Sequence, residues 1–167
     1  MKILIVNNSK LPVTYYGGTE RVIWHLGKTL TRLGHRVSFL VTQGSTCDFA
    51  KIIERNPEVD VIDQIPADID LVHFHFTPKG IEKLQIPYLI TVHGNPNSAE
   101  FIDKNAVFVS ENHAKRPAIV QCWARACEPF RPVAEAIGHR CTSRRTLVVK
   151  PRWKRILEIL TERIASG

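Results

Sequence analysis

The sequence has little from which to build a disulfide-stapled, membrane-spanning or dinucleotide-binding protein. Its 167 residues hold four cysteines, at 47, 122, 127 and 141. With no export signal in view, these are expected to be reduced thiols and not a disulfide framework. No apolar run is long enough to cross a bilayer. The opening "MKILIVNNSK" lacks both the h-region and the small-residue cleavage site of a signal peptide, so it reads as a first buried strand and the expected location is cytoplasmic. Neither G-x-G-x-x-G nor a Walker A sequence follows that strand, where "NNSKLPVTYYGG" stands instead, which argues against nicotinamide-dinucleotide and P-loop chemistry. Acidic residues are scarce only in one place. Residues 1–113 carry 11 Lys+Arg against 12 Asp+Glu, a net of −1, and residues 114–167 carry 12 against 4, a net of +8. All the basicity lies in the tail.

What is present is a regular alternation. The length suits one domain, and 44% apolar residues suit a globular core. Short β-rich runs occur at 2–7, 36–42, 58–63, 70–76, 87–93 and 106–110, several of them near-continuous Ile, Val, Leu and Phe. Parallel strands covered on both faces read this way. The expected fold is α/β, a Rossmann-like, doubly wound, mostly parallel sheet with helices on both faces, over residues 1–113. The first helix is predicted over 19–33. Val22, Ile23, Leu26, Leu30 and Leu33 fall on one face, Thr19 is a plausible cap, Glu20 suits the first turn and Gly34 suits a left-handed stop.

In such sheets ligands sit beyond the carboxyl ends of the strands. Gly17 and Gly18 stand at the mouth of the first helix. They either form a tight turn or leave room for a phosphate or carboxylate to reach the free N–H groups of the helix. His73 and His75 share one face of a strand. His73 is expected to be packed and hydrogen-bonded at the sheet end, and His75, nearer the carboxyl end, is the better site residue. His93, followed by Gly94, ends the fifth run; it could donate a hydrogen bond, act as an acid or base near neutral pH, or be a satisfied core histidine. Asp68 and Asp70 in "DID" formally match a metal-holding pair but are expected to be a solvated turn, so no metal is expected.

Four segments, "GGTERVIWHLGKTLTRLGHRVSFLVT", "DLVHFHF", "YLITVHGNP" and "VFVSENHAKR", resemble in order and spacing the N-terminal, acceptor-side domain of family 4 glycosyltransferases of the GT-B fold. The resemblance covers residues 1 to about 116. It implies a retaining transferase that moves a sugar from a nucleotide-sugar donor to a glycan or lipid acceptor, with no cofactor beyond the donor itself, in the building of a cell-envelope glycan. It also implies that Gly17, Gly18 and Thr19 lie against the donor diphosphate and that His93 is the catalytic histidine beside the transferring sugar. His75, Gly94, Asn95, Ser110, Glu111 and His113 would line the acceptor side.

The family's second, donor-binding domain has no counterpart in the text from residue 114 onward, which has the Arg, Ala, Pro and Cys balance of an out-of-frame or deleted coding segment. The expectation is a truncated domain, weakly active or inactive alone, with a chain carrying the other half as a possible partner. Within 114–167, "TLVVK" reads as an extra strand, and "RWKRILEILTERIAS" as an amphipathic helix packed on the domain or a partner. Cys122, Cys127, His139 and Cys141 lack zinc-ligand spacing. The alternative function is a non-catalytic binding module whose basic tail engages nucleic acid or an anionic membrane. Against it, no recognised nucleic-acid motif or basic-aromatic interleaving is present, so no specific nucleic acid and at most peripheral membrane contact are expected.

Overall fold

The structure is a computed structural model and describes residues 1–13, 17–94, 102–103, 105–109 and 113. The chain divides into two compact units, Met1–Thr91 and Val92–Gly167. In the first, strands β1 (Lys2–Val6), β2 (Arg36–Val41), β3 (Lys51–Glu54), β4 (Leu71–Phe74) and β5 (Tyr88–Val92) follow one another, with helix α1 (Gly18–Arg32) between β1 and β2. They form a parallel sheet in the order β3-β2-β1-β4-β5. The fold is α/β and Rossmann-like. From β1 the chain moves outward through β2 and β3, then returns to the other side of β1 as β4. The sheet therefore has its topological switch point between β1 and β4.

β1 is central because its sequence permits burial on both sides: Ile3, Leu4, Ile5 and Val6 are all sealed from solvent. The register pairs Ile3 with Val37 and Leu71, and Ile5 with Phe39 and His73. One face collects Leu4, Val6, Leu40, Val72, Phe74 and Ile90, covered by Val61, Ile81 and half-buried residues of the connections. Those connections hold 3₁₀ turns at Ile62–Gln64 and Ile81–Lys83. On the other face α1 buries Ile23, Leu26, Gly27 and Leu30, and Trp24 stacks parallel to Phe39 with ring centres 6.4 Å apart.

α1 starts at Gly18 and ends at Arg32, with Gly34 left-handed at φ 86° beyond it. Two details of the expected helix change. The N-cap is Gly17, with no side-chain capping bond, so Thr19 lies inside the first turn and is not the cap. Leu33 closes the helix at 56% exposure and is not part of the buried face, because the chain leaves the helix there.

The expected strand at 58–63 does not form; the strand is Lys51–Glu54. Alternation in "EVDVID" is a weak guide here. Val61 turns inward to the core while Val59 stays exposed, and the side chain of Gln64 holds the segment as a loop. Its Nε2 donates to the carbonyls of Asn56 and Val59 at 3.0 and 2.8 Å, and its Oε1 accepts from the Asn56 N–H at 2.8 Å.

In the second unit β6 (Ala106–Phe108) is a short, fully buried strand. Just before it, Asp103 makes a turn: its Oδ1 accepts from the Asn105 N–H at 2.7 Å and its carbonyl from the Ala106 N–H at 3.0 Å. The extra strand, the amphipathic helix and Cys122, Cys127, His139 and Cys141 lie outside the described residues.

Candidate functional site

The switch point places two segments side by side at the carboxyl edge of the sheet, one after β1 and one after β4. The ladder continues past the strands, since the N–H of His75 donates to the Val6 carbonyl at 3.0 Å and that of Asn7 to the Leu40 carbonyl at 3.1 Å. Alternation then sets the side chains. Ile5 and Asn7 share a face, as do His73 and His75, and it is the face covered by α1. Asn7, His73, His75 and Thr91 are all more than nine-tenths buried. This is an unusual concentration of polar groups for a sheet core.

Within this row His73 is a structural residue. Its Nε2 lies 2.7 Å from Thr91 Oγ1 on the neighbouring strand, and its ring is 4.3 Å from that of His75. The amide nitrogen of Asn7 is buried with no hydrogen-bond partner among the described residues. Asn7 and Thr91 were not anticipated as site residues. The signal for Asn7 was its position, as the first polar residue after a wholly apolar strand.

The two glycines differ. Neither adopts a left-handed backbone: Gly17 is extended at φ 162°, and among the described residues only Gly34, Gly44 and Gly80 have φ in the positive range that excludes side chains. Gly17 is required by packing, because a Cβ there would lie 2.8 Å from Glu20 Oε2 and 2.9 Å from a Val13 methyl. At Gly18 a Cβ would meet nothing within 4 Å among the described residues. The loop is anchored on both sides. Ser9 Oγ donates to Glu20 Oε1 at 2.7 Å, the Leu11 N–H bonds Ser45 Oγ at 3.0 Å, and the Thr46 N–H bonds the Leu11 carbonyl at 2.8 Å. The Glu20 carboxylate therefore faces Gly17, and the open approach to the start of α1 is at Gly18.

In the unit Val92–Gly167, His113 is buried and its Nε2 donates to the Gly94 carbonyl at 2.8 Å, while its ring stands edge-on to Phe108 at 5.4 Å. This holds the backbone next to His93, which is half-buried, and leaves Gly94 exposed. Asn95, Ser110 and Glu111 lie outside the described residues.

The "DID" pair is at the opposite, amino edge. Asp68 pairs with Lys2 Nζ at 2.8 Å, and Asp70 accepts from the Lys2 backbone N–H at 2.6 Å. The hydrogen bond and charge of Lys2 hold the Asp68 carboxyl below its ordinary value. Among the described residues no three His, Cys, Asp or Glu side chains form a group that could hold a metal ion, and no helix is long and apolar enough to cross a membrane. No protein-family model and no curated protein matches the chain.

Proposed function

We propose that this chain is the acceptor-side domain of a retaining sugar transferase of the GT-B type, taking sugar from a nucleotide-sugar donor to a glycan or lipid acceptor. The observation that carries the reading is the open approach to the N-terminal turn of α1 at Gly18, beside a switch point whose carboxyl edge holds buried polar side chains. A helix start with free N–H groups suits a diphosphate, and buried Asn, His and Thr side chains suit sugar hydroxyls. The resemblance of the four sequence segments supplies the reaction class.

In this reading Gly18 lets a phosphate oxygen approach the first N–H groups of α1, while Gly17 keeps Glu20 and Val13 packed behind it. Thr19 contributes the next N–H. His75 donates or accepts at the acceptor side, and by the resemblance His93 stands beside the transferring sugar. His113 positions the residues after His93 through the Gly94 carbonyl. Such a domain catalyses well only against a donor-side domain that encloses the nucleotide, since orientation and charge stabilisation come from the closed cleft.

The test is titration of the full chain with uridine and guanosine diphosphate sugars, followed by ligand-observed NMR, in wild type and Gly18→Val. Weak binding, in the millimolar range (about 4 kcal/mol), that disappears in the folded variant is the expected result. Binding that survives unchanged in Gly18→Val removes the donor-phosphate role from this loop.

A further inference from the structure

The strongest unassigned group in the sheet unit is Arg55, which follows β3 at the carboxyl edge. Its backbone N–H continues the ladder onto the Val41 carbonyl at 2.8 Å. Its guanidinium lies 5.9 Å from the centre of the Phe76 ring, and Nη1 donates to Asn8 Oδ1. Asn8 and Phe76 belong to the segments after β1 and β4, so Arg55 reaches the switch point from the edge of the sheet. Its Nε is buried and has no hydrogen-bond partner among the described residues.

Among the described residues no carboxylate forms an ion pair with Arg55. The ion pair present among the described residues, Lys2 with Asp68, is at the other edge of the sheet. Glu54, next in the chain, is turned to the Gly44 N–H at 2.9 Å. The Asn8 bond occupies Nη1 and leaves the Nε–Nη2 edge, the pair of parallel N–H groups with which arginine binds a carboxylate or phosphoryl group side-on. The aromatic ring beneath fixes the plane of the fork. The Nε–H of this edge is shielded from water with no partner among the described residues, a cost that an anion bound along the edge would offset.

We infer that Arg55 is an oxyanion-binding residue: its Nε–Nη2 edge takes the carboxylate or phosphoryl group of a small acidic acceptor at the switch point. The word acceptor rests on the transferase reading above; the anion site itself rests on Arg55 alone. It is separate from the glycine loop, which would take the donor diphosphate.

The test follows the Arg55 Nε–H resonance of the full chain in ¹H–¹⁵N spectra during titration with inorganic phosphate and, separately, acetate, to about 50 mM, the range in which an isolated weak anion contact saturates. A saturable shift is expected. Arg55→Gln, followed on the amides of Asn8 and Phe76, should weaken the tighter anion at least fivefold, and Arg55→Lys, which keeps the charge without the fork, should weaken it less. Tighter phosphate assigns a phosphorylated acceptor, and tighter acetate an acidic sugar. Gly18→Val should leave the Arg55 shift in place even if it abolishes nucleotide-sugar binding, which separates this site from the transferase reading. An Nε–H resonance that does not move, equal affinity in folded Arg55→Gln, or an anion response of the Asn8 and Phe76 amides that is lost in Gly18→Val but kept in Arg55→Gln would each overturn the inference.

Discussion

Gly27 sits in the middle of α1, where glycine is a poor helix former, and it is buried. The reason is Phe39. A Cβ at position 27 would run into the end of that ring, itself fully buried on β2. Gly27→Ala should therefore destabilise the protein by about 1–3 kcal/mol despite its higher helix propensity, as overpacking does. Combining it with Phe39→Leu should cost less than the sum of the two, as measured by urea unfolding. The glycine pair gives a second contrast. Gly17→Ala meets Val13 and Glu20 and should cost about 1 kcal/mol or more, whereas Gly18→Ala, with open space around it, should be neutral or stabilising by a few tenths. Equal effects at the two positions would refute this division of roles. A third residue, His35, responds to pH. Burial and the charge of the N-terminal amino group hold its pKa below the usual 6.5. The folded state thus binds this proton less readily than the unfolded state, so stability is complete above about pH 6.5 and falls as the pH drops below that value. Comparing urea midpoints at pH 7.5 and 5.5 in wild type and His35→Gln should show that part of the loss vanish in the variant.

The elements differ in how plainly sequence announces them. α1 was legible because spacing, first-turn acid and terminal glycine agree, and an amphipathic helix of this length needs only local information plus one apolar surface. β1, β2, β4 and β5 were legible as apolar runs. β3 was not. "KIIE" has two apolar residues between charges and sits at the sheet edge, where one side needs no partner and the pattern is accordingly short. The run at 58–63 looked the better strand, but its backbone groups bond locally, the Glu58 N–H to Asn56 Oδ1, the Val59 carbonyl to Gln64 Nε2 and the Asp63 N–H to the Asp60 carbonyl. Gln64→Ala should expose this, since it removes the side-chain hydrogen bonds that knit residues 56–64. A loss of about 1–2 kcal/mol in global stability, with faster amide exchange confined to 56–65, is expected. Faster exchange across the whole sheet would instead mean that the loop is integral to the core.

For the whole molecule, charge and fold make separate demands. The sheet and helix occur in residues of near-neutral balance, and the excess positive charge is in 114–167. Any binding to duplex DNA should then be insensitive to base sequence and fall steeply between roughly 50 and 200 mM salt, because counterion release is its driving force. Filter binding with two unrelated duplexes checks this; sequence preference at the higher salt would favour a nucleic-acid-binding module.

By itself the sequence determined the fold class, the helix at the glycine pair and most of the strands, because apolar periodicity and glycine punctuation are local properties. It also marked His75 by its place at the end of a run. Tertiary structure decided which polar residues belong together. Asn7 follows β1, His75 follows β4 and Thr91 is on β5, and only the order that puts β4 beside β1 brings them into one buried row. It likewise separated Gly17, held by Val13 and Glu20, from Gly18, which is open. It sent Asp68 and Asp70 to the opposite edge with Lys2, and it set Arg55 over Phe76 beside Asn8. These are contacts between residues far apart in the chain, fixed by strand order and crossover direction, and a linear pattern carries no record of either.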